Sequence, residues 1–166
     1  MVSGGKRGNA AYRLLSVLLS LCLLCGAAPM VQAQPAEADW TVAVYMCASD
    51  LESEAGCATD DLIEMIEAEI PDNVNVLVMT GGTSKWNPEG LKYPGYIEPS
   101  DKTTQLYWIT DQGMQLALDY GKYLDMGDED TLAQLLVDVN AAAPAKHMMV
   151  VLWNHGGGPT GILIPA

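Results

Sequence analysis

The residues best equipped for chemistry stand late in the chain, where the apolar run Met148 to Trp153 gives way to Asn154-His155-Gly156-Gly157-Gly158. An imidazole exchanges protons near neutral pH, so a histidine held at a strand end can act as general acid or base. A glycine directly behind it lets the backbone approach a substrate and aim its N–H at a developing oxyanion. Chemistry in open α/β sheets collects at the carboxyl ends of the strands, which is where His155 and Gly156 fall. These two residues are the candidate catalytic pair, weighed against the plainer reading of a histidine in a glycine-rich turn.

Three mechanisms can use them. Gly156-Gly157-Gly158-Pro159-Thr160-Gly161 matches G-x-G-x-x-G after a strand, but Pro159 and Ile162-Leu163-Ile164-Pro165 do not continue as a helix and no acid follows, so a dinucleotide site is disfavoured. His-Gly-Gly-Gly resembles the oxyanion loop of lipase-like hydrolases, which needs a G-x-S-x-G serine further on. Alternatively, His155 serves a cysteine nucleophile, holding the thiolate and protonating the leaving amine. Cys47, at the end of the first strand, is a weak candidate for that nucleophile, and Cys57 a weaker one. Asp50, Glu52 and Glu54 alternate as calcium ligands do, yet the glycine of an EF-hand loop is displaced to Gly56, so a solvated acidic loop explains them better.

The elements that position these residues follow from pattern. Trp40 to Met46 (WTVAVYM) reads as a first strand and Asp50 to Cys57 as a polar loop. Thr59 can cap a helix from Asp60, with Leu62, Ile63, Ile66 and Ile70 on one face and Pro71 ending it. A second strand runs from Asn73-Val74 to Met79, and strand, helix, strand at this spacing predicts two parallel neighbours. The Pro- and Gly-bearing stretch from Thr83 to Ser100 is a long excursion. Asp111-Gln112-Gly113 joins Gln105 to Thr110 and Met114 to Tyr120 as a hairpin. Asp128 caps a helix in which Leu132, Leu135, Leu136 and Val139 share a face, and Pro144 closes it. The unbroken apolar run Met148 to Trp153 then predicts a third core strand with helices on both faces.

Before all this comes a leader: Lys6, Arg7 and Arg13, the apolar run Leu14 to Cys25, and a small-residue exit at Val31-Gln32-Ala33. That order marks a secretory signal peptide over 1–33, too short to span a bilayer, followed by a linker over 34–39. Its removal takes Cys22, Cys25 and three basic residues away, leaving a chain still more acidic than the net −13 of the whole sequence. Such a surface repels nucleic acid and anionic lipid, so neither is an expected partner, and the mature product is expected outside the cell or at its surface. Two remaining cysteines do not make a disulfide scaffold.

Upstream context adds a resemblance. Trp40-Thr41-Val42-Ala43-Val44-Tyr45-Met46-Cys47-Ala48-Ser49-Asp50-Leu51-Glu52-Ser53-Glu54 resembles the opening strand and loop of clostripain-like cysteine peptidases, and Ala58-Thr59-Asp60-Asp61-Leu62-Ile63-Glu64-Met65 their first helix. Val76 to Trp86, Asp125-Met126-Gly127-Asp128 with Thr131-Leu132, and Pro144 to Gly158 are similar to later segments in the same order. The resemblance implies a caspase-like fold: α/β, with an open, mostly parallel sheet, here truncated after the third core strand, in a peptidase-domain portion covering 40–166. It implies that His155 is the catalytic histidine and that the Gly156 N–H contributes to the oxyanion hole of an exported cysteine endopeptidase cutting after arginine or lysine. Calcium stays open as a cofactor, since some members need it. The chain departs from the pattern after Gly158, where Pro-Thr-Gly-Ile-Leu-Ile-Pro-Ala holds no cysteine. The expectation is therefore a histidine-bearing N-terminal half, inactive alone, with peptide or protein substrates and a complementary C-terminal half as partners. The alternatives are a non-catalytic exported fragment or pseudo-peptidase, and the N-terminal half of an esterase.

Overall fold

Ala38–Cys47 forms the strand against which the other elements are laid (β1). Its side chains alternate between two apolar layers: Val44 and Met46 enter one, Ala43, Tyr45 and Cys47 the other. A period of two with both faces covered is why this run is apolar throughout. The computed structural model describes residues 37–156. The signal peptide read over 1–33 lies outside the described residues, and Glu37–Ala166 forms a unit of its own. The predicted linker ends earlier than expected, because Ala38 already pairs with Ala145 and Asp39 is anchored by Asn73 (2.7 Å) and Lys146 (2.6 Å).

After β1 the chain departs from expectation. The segment read as a polar loop is a short helix, Ser49–Ala55 (α1), and a second helix, Cys57–Glu67 (α2), follows at once. Gly56 makes the break: at φ 71° it is left-handed, and its N–H closes α1 on the carbonyls of Leu51 and Glu52. The helix expected from Asp60 thus starts at Cys57, with Thr59 inside its first turn. It ends at Glu67, ahead of Pro71, with Ala58, Leu62 and Ile66 buried.

Val74–Gly81 (β2) pairs with β1 in parallel from Trp40↔Val74 to Cys47↔Gly81, as the strand–helix–strand spacing predicted. The excursion then leads to the hairpin of Gln105–Thr110 (β3) and Gly113–Asp119 (β4), which extends the sheet antiparallel to β2. Helix Glu129–Ala142 (α3) is capped by Asp128, whose side chain accepts from Asp130 N at 2.9 Å. At its far end the Thr41 hydroxyl donates to Ala143 O at 2.7 Å. The last strand, Ala145–Trp153 (β5), pairs in parallel with β1 from Ala38↔Ala145 to Met46↔Trp153.

The sheet order is β4-β3-β2-β1-β5. α2 packs on the layer of Val44 and Met46, α3 on that of Ala43, Tyr45 and Cys47. The chain steps from β1 to one side for β2, then returns to the other side for β5, so its connections cover opposite faces. The point where direction reverses, between β1 and β5, is where such folds open a crevice at their carboxyl rim. β5 differs from expectation in its burial. It has β1 on one side and, among the described residues, no strand on the other; Met148, Met149 and Val150 are exposed. An apolar edge of this kind is a pairing surface.

The excursion is fastened by backbone approach. Met114 N donates to Gly95 O at 2.8 Å, and a Cβ on Gly95 (φ 82°) would lie 2.7 Å from Gly113 Cα and 2.8 Å from Gln112 O. Gly95→Ala is expected to cost about 2–4 kcal/mol through clash and backbone strain together. Gly90→Ala, also left-handed but meeting nothing within 4 Å, should cost about 1 kcal/mol. Urea midpoints of the two variants check this, and equal losses would mean that the close approach is not a fastening.

Candidate active site

The rim is built where β1 and β5 end side by side. Their ladder finishes at Met46↔Trp153, and side chains take over beyond it. The Trp153 indole N–H donates to the Asp61 carboxylate on α2. The Asn154 amide donates to Cys47 O at 2.7 Å and lies 3.2 Å from Ser49 Oγ. This staples the turn after β5 to the turn after β1. Ser49 is buried and held at φ 46°, an uncommon conformation for a residue with a Cβ, so that α1 can start directly off the strand.

His155 follows. Its Nε2 lies 2.7 Å from Oδ1 of Asp50, in the first turn of α1, with the two side chains 40% and 54% exposed. The bond to His155, then one to Ser49, holds the Asp50 carboxyl below its usual range. Gly156 is left-handed at φ 72°, and among the described residues a Cβ there would meet nothing within 4 Å. Its need for glycine is therefore conformational. The structure thus puts both candidate residues at the carboxyl rim and adds Asp50, which sequence reasoning had placed in an acidic loop.

Sequence reasoning also missed Glu52. It is fully buried, and three donors converge on its two oxygens: Thr59 N (2.8 Å), Thr59 Oγ1 (2.6 Å) and Asn87 N (2.6 Å). Its carboxylate satisfies an orphan N–H of the α2 first turn, the role expected of a cap, while tying down the start of the excursion. Thr59 is therefore a donor to Glu52 rather than the cap itself. Glu52 turns inward while Asp50 binds His155 and Glu54 is exposed, so these carboxylates do not gather as a ligand set. Among the described residues no group of three acids, histidines or cysteines could hold a metal ion.

Cys47 shares the rim but not its solvent. It is fully buried, and a Cβ on neighbouring Gly82 would come within 2.8 Å of its Sγ. Burial pushes its thiol from 9.0 up to about 11, with a bond from Asn154 opposing this in part. It is built as a packed side chain, in keeping with its low rank as a nucleophile. Cys57 lies at the start of α2, and both thiols are free.

A family model described as the clostripain family matches residues 44–161, from the end of β1 through β5 and the turns stapled after both. The chain belongs to the clostripain family. Membership displaces the dinucleotide and esterase readings of the glycine run. No curated protein matches the sequence. Among solved structures, a secreted cysteine protease from Bacteroides thetaiotaomicron, in complex with an irreversible peptide inhibitor, is 23% identical at a TM-score of 0.52, over 73% of this chain and 30% of that one. A cysteine protease from B. fragilis is 16% identical at 0.51, over 77% of this chain and 96% of that one. A clostripain from B. thetaiotaomicron, in complex with a peptide inhibitor, is 18% identical at 0.50, over 75% and 97%. At these identities the likeness is one of fold, and the chain spans under a third of the first protease's length.

Two outcomes are expected. Glu52→Gln is isosteric yet turns an N–H₂ toward either Thr59 N or Asn87 N, a donor facing a donor. It should destabilise the fold by about 2–4 kcal/mol, read as a lower urea midpoint; an unchanged midpoint would mean that water or relaxation satisfies the site. A thiol at about 11 is ionised at pH 7 roughly a hundredfold less than one at 9. Iodoacetamide should therefore modify native Cys47 at least about a hundredfold more slowly than in urea, and a matching native rate would show the thiol to be open.

Proposed function

We propose that this chain is the histidine-bearing portion of an exported cysteine endopeptidase that cuts after arginine or lysine. The observation that carries the reading is His155 at the carboxyl end of β5, an edge strand whose outer side has no partner among the described residues. A strand paired there would end beside His155 and could present a thiol to its ring. The thiolate attacks the scissile carbonyl carbon, the carbonyl oxygen takes the negative charge, and the Gly156 N–H is the donor offered to it. His155, carrying the proton taken from the thiol, gives it to the amine nitrogen as the C–N bond breaks. It then accepts a proton from the water that hydrolyses the acyl-enzyme.

Export rests on the order of charge, apolar run and small residues in the first 33 positions. Basic specificity rests on the family resemblance, and the chain's acidity suits a cationic substrate. A second reading, a pseudo-peptidase or binding segment, is favoured by one observation: the Cys47 thiol is buried, and burial raises its pKa.

Hydrolysis of an arginyl or lysyl peptide amide decides between them. The chain alone is expected to be inactive. Supplied with a C-terminal segment of a clostripain-family domain, it should gain activity that His155→Ala lowers by about a thousandfold or more. Activity of the chain alone that Cys47→Ser abolishes would overturn the proposal. Complemented activity indifferent to His155→Ala would do so as well.

A further inference from the structure

We infer that Asp50 is a positioning residue for His155: it binds Nε2 and leaves Nδ1 as the ring nitrogen that meets thiol and leaving amine. The inference rests on the peptidase reading above and deepens it. The geometry is a 2.7 Å contact between Nε2 and Oδ1 across 105 positions of sequence, and Nδ1 takes part in no hydrogen bond among the described residues. A ring with a carboxylate on Nε2 carries its neutral-state proton there, which makes Nδ1 the basic nitrogen. Proton transfer then runs from S–H to Nδ1 and from Nδ1 to the amine nitrogen, while the Nε2–H remains with Asp50 throughout.

Three anchors fix where Asp50 sits. The parallel pairing of β1 with β5 brings the two turns together. The Asn154 amide joins Cys47 O on one turn to the other, with Ser49 Oγ close by. Buried Glu52, one residue beyond Leu51 on the same short helix, pins α1 to Thr59 and Asn87. Asp50 therefore reaches the ring from a backbone that cannot drift, although its own side chain meets solvent. A buried aspartate behind a catalytic imidazole is worth about ten-thousandfold in kcat. With solvent screening of a half-exposed pair, the effect here should be about 10- to 100-fold.

The pair is tested first in the chain itself, by carboxyl ¹³C NMR titration of Asp50. His155→Ala should raise the titration point toward, but not fully to, that of a free aspartate, because the Ser49 bond persists. The role is tested in the complemented peptidase. Asp50→Ala should lower kcat about 10- to 100-fold with KM changed less than about twofold, and Asp50→Asn should lower kcat about as much, because a neutral amide neither stabilises the imidazolium nor fixes the proton on Nε2. Identical Asp50 titration with and without His155 overturns the inference, as does full kcat in Asp50→Ala when His155→Ala is inactive. If Asp50 titration responds to His155 but neither residue affects hydrolysis, the peptidase reading and the catalytic role fall together and only the hydrogen bond survives.

Discussion

The parallel pairing of β1 with β5 is the constraint on which the rim depends. Local interactions cannot bring residue 155 to residue 50, because more than a hundred positions separate them. The register Met46↔Trp153 does, because it makes the two strands finish level. A shift of one residue would turn every side chain of β5 to the opposite face, sending Trp153 away from Asp61 and Asn154 away from the Cys47 carbonyl. Those two bonds act as a register check at the place where register matters for chemistry. Backbone pairing delivers the turns, and side-chain bonds align them.

Glu52 extends that control into α1. A seven-residue helix has little stability of its own, and α1 has no side-chain cap at its start. Burying a carboxylate is costly unless donors surround it, and here three do. The result is a short helix whose position is set by a polar hub rather than by a broad apolar face. Asp50, two residues before that hub, inherits its placement. A similar sharing of polar groups at the far end of the sheet, between Asp39, Asn73 and Lys146, holds the amino ends of β1, β2 and β5 together.

How much of this the sequence disclosed follows from which forces are local. The strands, the hairpin at Asp111-Gln112, the Asp128 cap and the Leu135–Val139 face depend on periodicity and turn chemistry, and those are written in neighbouring residues. The carboxyl-rim position of His155 followed from strand order. α1 was illegible because its residues, Ser49 to Ala55, are polar and acidic, and the reason they coil is a carboxylate partnered by Thr59 and Asn87. Thr59 looked like a cap because its type suits one, and only the fold reveals that its hydroxyl donates to Glu52. Asp50 was visible only as one of three alternating acids. Its tie to His155 is a product of register, which single-sequence patterns do not carry.

β5 poses the sharpest conflict between pattern and surroundings. Met148 to Trp153 is continuously apolar, the composition of a strand enclosed on every side, yet Met148, Met149 and Val150 are exposed. β1, with the same composition, is enclosed by β2, β5 and both helix layers, and it shows what such a run is selected for. The apolar character of β5 is therefore satisfied by what would lie on its outer edge, and the rim residues sit at the end of that same edge. A strand laid along it would bury the apolar run and end beside His155 in one step. Folding and catalysis would then share a single requirement, a strand along the outer edge of β5.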